Sequence, residues 1–499
     1  MNIKQAKQEI KNAIRAYLAR DEFGQYRIPV VRQRPILLMG PPGIGKTQIM
    51  EQIAAETGVA LVAYTITHHT RQSALGLPFI VERTFAGRTV SVTEYTMSEI
   101  LATVYRTMEE TGLQEGILFL DEINCISETL TPMMLQFLQC KTFGNQKLPD
   151  GWIIVAAGNP PEYNKSVREF DVVTLDRVKR IDVEQDFSVW KEYAYQKGIH
   201  GAILTYLEIH KEHFYAFEAS VDGVQFATAR GWEDLSELLL TYEQLGIHPD
   251  REVIGQYIQL PRIAKDFANY LELYAKYRQV YHVDDILNGT WDKLSARELQ
   301  SAPFDEKLSV LGLLIARLSE SARVCRRQDL LTEELHACLT RVKQSASDTG
   351  NALTQELQGV QARIARQIQA GNADPQEQRT LRAAAGQLEH YLHLLDTERP
   401  DETEAFELVR GQFQAQVRAR LDTAQVAGDQ MNAAFAFLEQ ALGESQEMVI
   451  FATELTANPY TSWYIQNFGC DAYFRHNKAL LFDDTRTQIL DTIAAARKE

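Results

Sequence analysis

Cysteine is scarce and scattered. Cys125, Cys140, Cys325, Cys338 and Cys470 are odd in number and form no C-x-x-C pair, which speaks against a disulfide framework or a structural zinc site. Long apolar runs are missing too: none reaches the roughly 18 to 20 residues that a membrane-spanning helix needs. The N-terminal stretch "MNIKQAKQEIKNAIRAYLARD" is amphipathic and lacks the apolar centre of a signal peptide. The expectation is a soluble, cytoplasmic protein. Positive charge is also in deficit, with 51 Lys+Arg against 67 Asp+Glu and a formal net charge of −16. Such a surface repels a phosphate backbone, so nucleic acid is disfavoured as the main partner; only a local basic channel escapes that average.

What is present suffices for several cores. The 499 residues, 45% of them hydrophobic, suggest about three domains by length. Short aliphatic runs at 35–39 ("PILLM"), 60–66 ("ALVAYTI"), 116–120 ("GILFL"), 151–157 ("GWIIVAA") and 180–183 ("RIDV") alternate mostly with helix-period stretches. This pattern predicts an α/β domain with a mostly parallel sheet over residues 1–185. An N-terminal helix precedes it, with Ile3, Ala6, Ile10, Ile14 and Leu18 on one face. Residues 186–285 read as an all-α domain, and residues 286–499 as a helical C-terminal extension. Within the extension, Leu353, Leu357, Val360, Ile364 and Ile368, then Leu381, Ala385, Leu388, Leu392 and Leu395, recur every three or four residues on either side of "AGNADPQ". That spacing predicts an antiparallel, coiled-coil-like hairpin near 353–396. The aromatic-rich "NPYTSWYIQNFGCDAYF" near the end reads as packed.

The chemistry begins at "GPPGIGKT", residues 40–47, which matches G-x-x-x-x-G-K-[ST] between a strand and the helical "TQIMEQIAAETG". Glycines let backbone N–H groups turn inward around a phosphate at a helix N-terminus. The nucleotide-binding set is Gly40, Pro41, Pro42, Gly43, Ile44, Gly45, Lys46, Thr47 and Gln48, with Lys46 reaching the β- and γ-phosphates. The second half of the site is "ILFLDEIN". Adjacent carboxylates at the end of a buried strand are costly unless they face a cation or a reacting water. Thr47 and Asp121 are therefore candidates for holding Mg²⁺, and Glu122 for polarising the attacking water. A GTPase would carry N-K-x-D to read guanine; "NKSV" at 164–167 lacks the Asp.

Asn159, ending "WIIVAAGNP", either forms a turn or orients water beside the γ-phosphate. Arg177 and Arg180 in "TLDRVKRIDV" are either a solvated basic pair or include an arginine finger that serves a neighbouring subunit's nucleotide. Arg230 in "ATARGWEDLS" either contacts the γ-phosphate or holds its own helix in a salt bridge.

Taken in order, "GPPGIGKT", "ILFLDEIN", "AAGNP", "LDRVKR" and "ATARGWEDLS" resemble the Walker A, Walker B, sensor 1, arginine-finger and sensor 2 elements of an AAA+ ATPase of the MoxR family. The resemblance covers roughly residues 1–285. It implies ATP hydrolysis with Mg²⁺, a hexameric ring with nucleotide between subunits, an all-α lid after the α/β domain, Asn159 as sensor 1, Arg177 as the trans finger and Arg230 as sensor 2. It also implies a chaperone-like action on a protein client together with a von Willebrand factor A-domain partner. Two stretches fit loops lining a central pore: a hairpin turning at "AGR" within 67–95, and "CKTFGNQKLPDGW" at 140–152. His68, His69 and Arg71 are candidates there for contact with substrate or a neighbour. His210 and His213 lie three apart, too few ligands for zinc without others nearby. The alternatives are a slow nucleotide-gated scaffold that binds through its C-terminal helices, and a DNA-acting ring ATPase.

Overall fold

The computed structural model describes residues 1–68, 76–143, 146–163, 167, 170–220, 223–345 and 348–477. Two compact units account for them. One comprises Met1–Asp186 with Gln355–Leu388, the other Phe187–Thr354 with Glu389–Glu499.

The first unit is built on a parallel five-stranded sheet. Its strands and those of its small hairpins are β1 (Ile36–Met39), β2 (Ala60–Thr65), β3 (Pro78–Phe85), β4 (Arg88–Tyr95), β5 (Gly116–Asp121), β6 (Thr142–Phe143), β7 (Gln146–Lys147), β8 (Trp152–Gly158) and β9 (Lys179–Asp182). The sheet order is β2-β5-β8-β1-β9. Each of the five sheet strands falls on one of the aliphatic runs. Because side chains alternate across a strand, these runs feed two cores. Leu118, Leu120, Ile154, Ala156 and Leu37 join one cluster; Ile117, Phe119, Ile153, Val155 and Leu38 join the other.

Helices cover both faces, as a doubly buried parallel sheet requires. Helices α1 (Ile3–Leu18) and α2 (Lys46–Thr57) supply Ala6, Ile10, Ile14, Met50 and Ile53 to one core. Helices α3 (Glu99–Thr111) and α4 (Thr131–Cys140) supply Ile100, Leu101, Val104, Met134 and Phe137 to the other. Helix α1 starts on a capping box. The Asn2 side chain accepts from the Gln5 amide at 2.9 Å, and Gln5 accepts from the Asn2 amide at 3.2 Å.

The hairpin expected within 67–95 is present, and the loop stretch 140–152 holds a second, short one. β3 and β4 pair from Pro78↔Tyr95 to Phe85↔Arg88, joined by Ala86 and Gly87 at φ 49 and 79, the positive values a two-residue hairpin turn demands. β6 and β7 pair over Thr142↔Lys147 and Phe143↔Gln146.

Lys141, between α4 and β6, is 6% exposed and reaches Gln33 Oε1 at 3.5 Å. Burial lowers its pKa from 10.5 to about 8, since the charged ammonium loses its water. Between about pH 8 and 10.5 the unfolded chain keeps a proton on Lys141 that the native chain does not, so the destabilisation this lysine causes fades as pH rises through that window. Denaturant unfolding of the wild type and of Lys141→Met at either end of the window checks this: the stability advantage of the variant is expected to shrink by about 3 kcal/mol.

The second unit is mainly helical. Helices Phe187–Lys197, Gly201–Ile209, Ala229–Leu245, Arg251–Tyr257 and Pro261–Val280 are followed by Lys293–Ser301 and the 41-residue helix Phe304–Gln344. Glu402–Leu442, Gln446–Ala457 and Pro459–Phe468 complete it. One buried cluster takes residues from Trp190 to Cys325 and again from Ala424 to Tyr473. Trp232 and Phe267 meet edge to face within it, at 5.2 Å and 81°, as aromatic rings prefer. Tyr464, Ile465 and Tyr473 of the aromatic-rich tail are buried in the same cluster.

The region expected to be all helical also contains an antiparallel ladder of β10 (Ala216–Ser220) and β11 (Gly223–Ala227). The preceding helix, Gly201–Ile209, does not continue into this segment. His210 leaves helical conformation at φ −121 and ψ 66, and the chain beyond it is rich in Phe, Tyr and Val, which suit a strand.

The C-terminal hairpin consists of helices Thr349–Gln369 and Pro375–Glu398. Leu353, Val360, Leu381, Ala385 and Leu388 of the seam are buried, whereas Ile368 is 54% exposed. No described helix is long and apolar enough to cross a membrane.

Candidate functional site

Three adjacent strands end at one place. β8 lies between β5 and β1, and all run parallel, so the residues after Met39, Leu120 and Gly158 emerge together at the carboxyl edge of the sheet. That edge is where open α/β sheets bind ligands. Gly40, Pro41, Pro42, Gly43 and Ile44 form the loop after β1, and Gly45, at φ 87, turns it into α2. Lys46, Thr47 and Gln48 then stand in the first turn of α2, where free N–H groups and the helix dipole favour a phosphate.

Lys46 is 9% exposed. Its Nζ donates to Gly40 O, Pro41 O and Asn159 Oδ1, each at 2.8 Å. The ammonium is thus held under the loop by neutral oxygens. Asn159, far away in sequence, reaches the same cation, which its reading as a simple turn former does not account for. It is itself held by Asn124, whose Nδ2 donates to Asn159 O at 2.7 Å and whose Oδ1 accepts from the Asn159 amide at 3.3 Å.

The acidic pair is divided in role by geometry. Asp121 Oδ2 accepts from Thr47 Oγ1 at 2.8 Å, and Asp121 Oδ1 accepts from the Glu122 amide at 2.9 Å. A hydroxyl and a carboxylate oxygen side by side are the hard donors that Mg²⁺ prefers, so the residues present fit that ion. Glu122 adopts φ 57, a left-handed conformation costly for a side chain with Cβ. It turns the chain out of β5, and Glu122 Oε2 accepts from Thr67 Oγ1 at 2.9 Å.

Arg177 is exposed, just before β9, and donates to Gln139 on α4. Arg180 lies within β9 and pairs with Asp182 at 2.8 Å. Arg177 thus lies at the surface, bonded to a neutral amide with Asp171 near enough to feel its charge, while Arg180 is bonded directly to a carboxylate. Arg230 belongs to the second unit. It is exposed in the first turn of the helix Ala229–Leu245, whose N-cap Thr228 accepts from the Gly231 amide. His68 closes the short turn Ile66–His68; its side chain, His69 and Arg71 lie outside the described residues.

Sequence reasoning missed Thr67 and Asn124. Asn124 stands in the quoted "ILFLDEIN" and is 2% exposed; a buried amide must find partners, which was its signal. Thr67 carried none beyond following a core strand.

In the second unit, Asp266 joins His210 and His213, with one ligand atom of each within 4.8 Å of the others. Both ring nitrogens of His213 are already engaged. Nδ1 lies 2.7 Å from Tyr206 Oη, which donates to Asp266 at 2.9 Å, and Nε2 lies 3.1 Å from Arg262 Nη1. Burial lowers the His213 pKa, consistent with a neutral ring that accepts from Arg262 and donates to Tyr206.

Among curated proteins none matches this sequence. The solved structures similar to it include that of C. elegans PCH-2, at 15% identity, 42% coverage of this chain, 48% coverage of that chain and a TM-score of 0.24. This chain thus spans about half the length of that one. One family model matches, described as AAA domain (dynein-related subfamily), over residues 35–178. The segment carrying Lys46, Thr47, Asp121, Glu122, Asn159 and Arg177 thus matches the model of an AAA domain, a domain class that in general binds and hydrolyses nucleotide; it has an α/β fold, and a mainly helical region follows it.

Proposed function

We propose that this protein is an ATP-hydrolysing, MoxR-like ring ATPase that remodels or activates protein partners. The observation that carries the reading is the convergence of Lys46, Thr47, Asp121, Glu122 and Asn159 at the ends of β1, β5 and β8. Gly40 to Gln48 cradle the phosphates, with Lys46 turning from its loop carbonyls toward the β- and γ-phosphates. Thr47 and Asp121 hold Mg²⁺, which supplies charge neutralisation at the phosphates when bound. Glu122 leaves Thr67 and accepts the proton of the attacking water, and Asn159 orients that water. Arg177 acts on a neighbouring subunit's γ-phosphate, and Arg230 serves as sensor 2. The hexameric assembly, the client and the von Willebrand factor A-domain partner come from the family resemblance.

The acidic charge, −16, weighs against DNA as the substrate. The purified protein is expected to hydrolyse ATP with Mg²⁺ and to stop when a chelator removes it, while assembling into rings visible by electron microscopy with ATP. Failure to release phosphate from ATP under these conditions sinks the reading.

A further inference from the structure

The chain leaves the second unit after Thr354, forms the distal part of the helical hairpin and returns after Leu388. The turn of that hairpin rests on β2, the strand at one edge of the ATPase sheet. An edge strand presents backbone groups that its sheet leaves unpaired, and these need cover. Here the Leu61 amide donates to Ala370 O at 2.8 Å, and Asn372 Nδ2 donates to Val59 O at 3.2 Å. Ala370 is 1% exposed. Gly371 has φ 65, and a Cβ at this position would stand 2.5 Å from Leu61 O. Backbone conformation and close approach each independently require glycine there. The contact is a fitted seat.

β2 leads from that seat to the reacting groups. It pairs with β5 from Ala60↔Gly116 to Thr65↔Asp121. Beyond it, Ile66 is fully buried, and Thr67 holds Glu122. From Leu61 to the end of β2 at Thr65 the path is roughly 13 Å at the rise of a strand, and Thr67 follows in the short turn Ile66–His68. A strand laddered into a close-packed sheet moves as a body, so a change at the seat reaches Thr67. A hydrogen bond to a carboxylate is among the stronger kinds, and while Glu122 accepts it from Thr67 one lone pair of that oxygen is taken and the carboxylate is held in this orientation.

We infer that the turn Ala370–Asn372 is a positioning element for Glu122. By seating β2 it places Thr67 where it restrains the carboxylate, and loosening the seat releases Glu122 for turnover. The inference rests on the ATPase reading, with Glu122 as the base.

Steady-state kinetics of Thr67→Val, Gly371→Val and the double variant test it. Each single substitution is expected to raise kcat for ATP about threefold with KM unchanged. The double variant should be no faster than Thr67→Val alone, because both act through one bond. Thr67→Ser, which keeps the hydroxyl, should return the wild-type rate. Asn372→Ala removes one seat bond without crowding and is expected to raise kcat about twofold, which keeps the test open if Gly371→Val fails to fold. Unchanged or slower turnover in Thr67→Val, unchanged turnover in folded Gly371→Val and Asn372→Ala, or effects that multiply in the double variant overturns the inference. Those results with Glu122-dependent hydrolysis intact sink the seat alone; hydrolysis indifferent to Glu122 sinks Glu122 as the base and the seat with it, and only an absence of ATP hydrolysis sinks the ATPase reading.

Discussion

Glu122→Gln is expected to bind ATP normally and to turn it over two to four orders of magnitude more slowly. The substitution keeps the shape of the side chain but removes its ability to take a proton. Binding should persist because the phosphate contacts belong to other residues: Lys46 Nζ lies under the loop at 2.8 Å from Gly40 O and Pro41 O, and Thr47 is bonded to Asp121. The backbone at Glu122, φ 57, tolerates Gln as it tolerates Glu, so stability should change little. Binding of a fluorescent ATP analogue, with phosphate release measured in parallel, separates the two steps. A variant that releases phosphate at the normal rate would show that a different group activates the water.

Arg177→Ala is expected to slow turnover by about three to five orders of magnitude, the range typical of a finger supplied in trans. Arg177 is exposed and donates to the neutral Gln139, with the exposed Asp171 carboxylate near enough to feel its charge. Arg180 is already paired with Asp182 at 2.8 Å, and Arg180→Ala is expected to change turnover only a fewfold, as exposed ion pairs contribute little. If the finger works between subunits, mixing Arg177→Ala with Lys46→Ala should restore activity that neither has alone. Some sites in mixed rings then combine an intact Lys46 with an intact neighbouring Arg177. No recovery in mixed rings would place Arg177 in its own subunit's chemistry or in none, and a dead Arg180→Ala beside an active Arg177→Ala would exchange the two roles.

Much of the first unit was legible because its signals are local. "GILFL" and "GWIIVAA" hold only glycine, aliphatic and aromatic residues, and both faces of β5 and β8 are buried. The phosphate loop announces itself through glycine, lysine and threonine spacing, and the acidic pair through its place after an apolar run. The small β10–β11 ladder was not legible, because "HGAILTYLEIHKEHFYAF" carries apolar residues at both helical and strand spacings. Thr67 was not legible either: a threonine after a strand is ordinary until the register of β2 on β5 carries it to Glu122. "AGNADPQ" read as a helix breaker, and it is one. The same Gly371 that ends the helix also lets the turn approach Leu61, and no spacing distinguishes a turn facing solvent from one seated on a strand.

The sequence by itself determined the groups available here: a glycine-rich loop with its lysine, a hydroxyl, two adjacent carboxylates, and the strand and helix periods that place them at element ends. These follow from residues adjacent in the chain, where stereochemistry and burial leave few choices. Tertiary structure decided the partners. It set Asn159 on Lys46, Thr67 on Glu122 and the turn Ala370–Asn372 on β2. It also put helices from Phe187 onward into one core with those beyond Glu402. Each of these is a contact between distant segments, chosen by register and packing from many pairings that the same local patterns would allow.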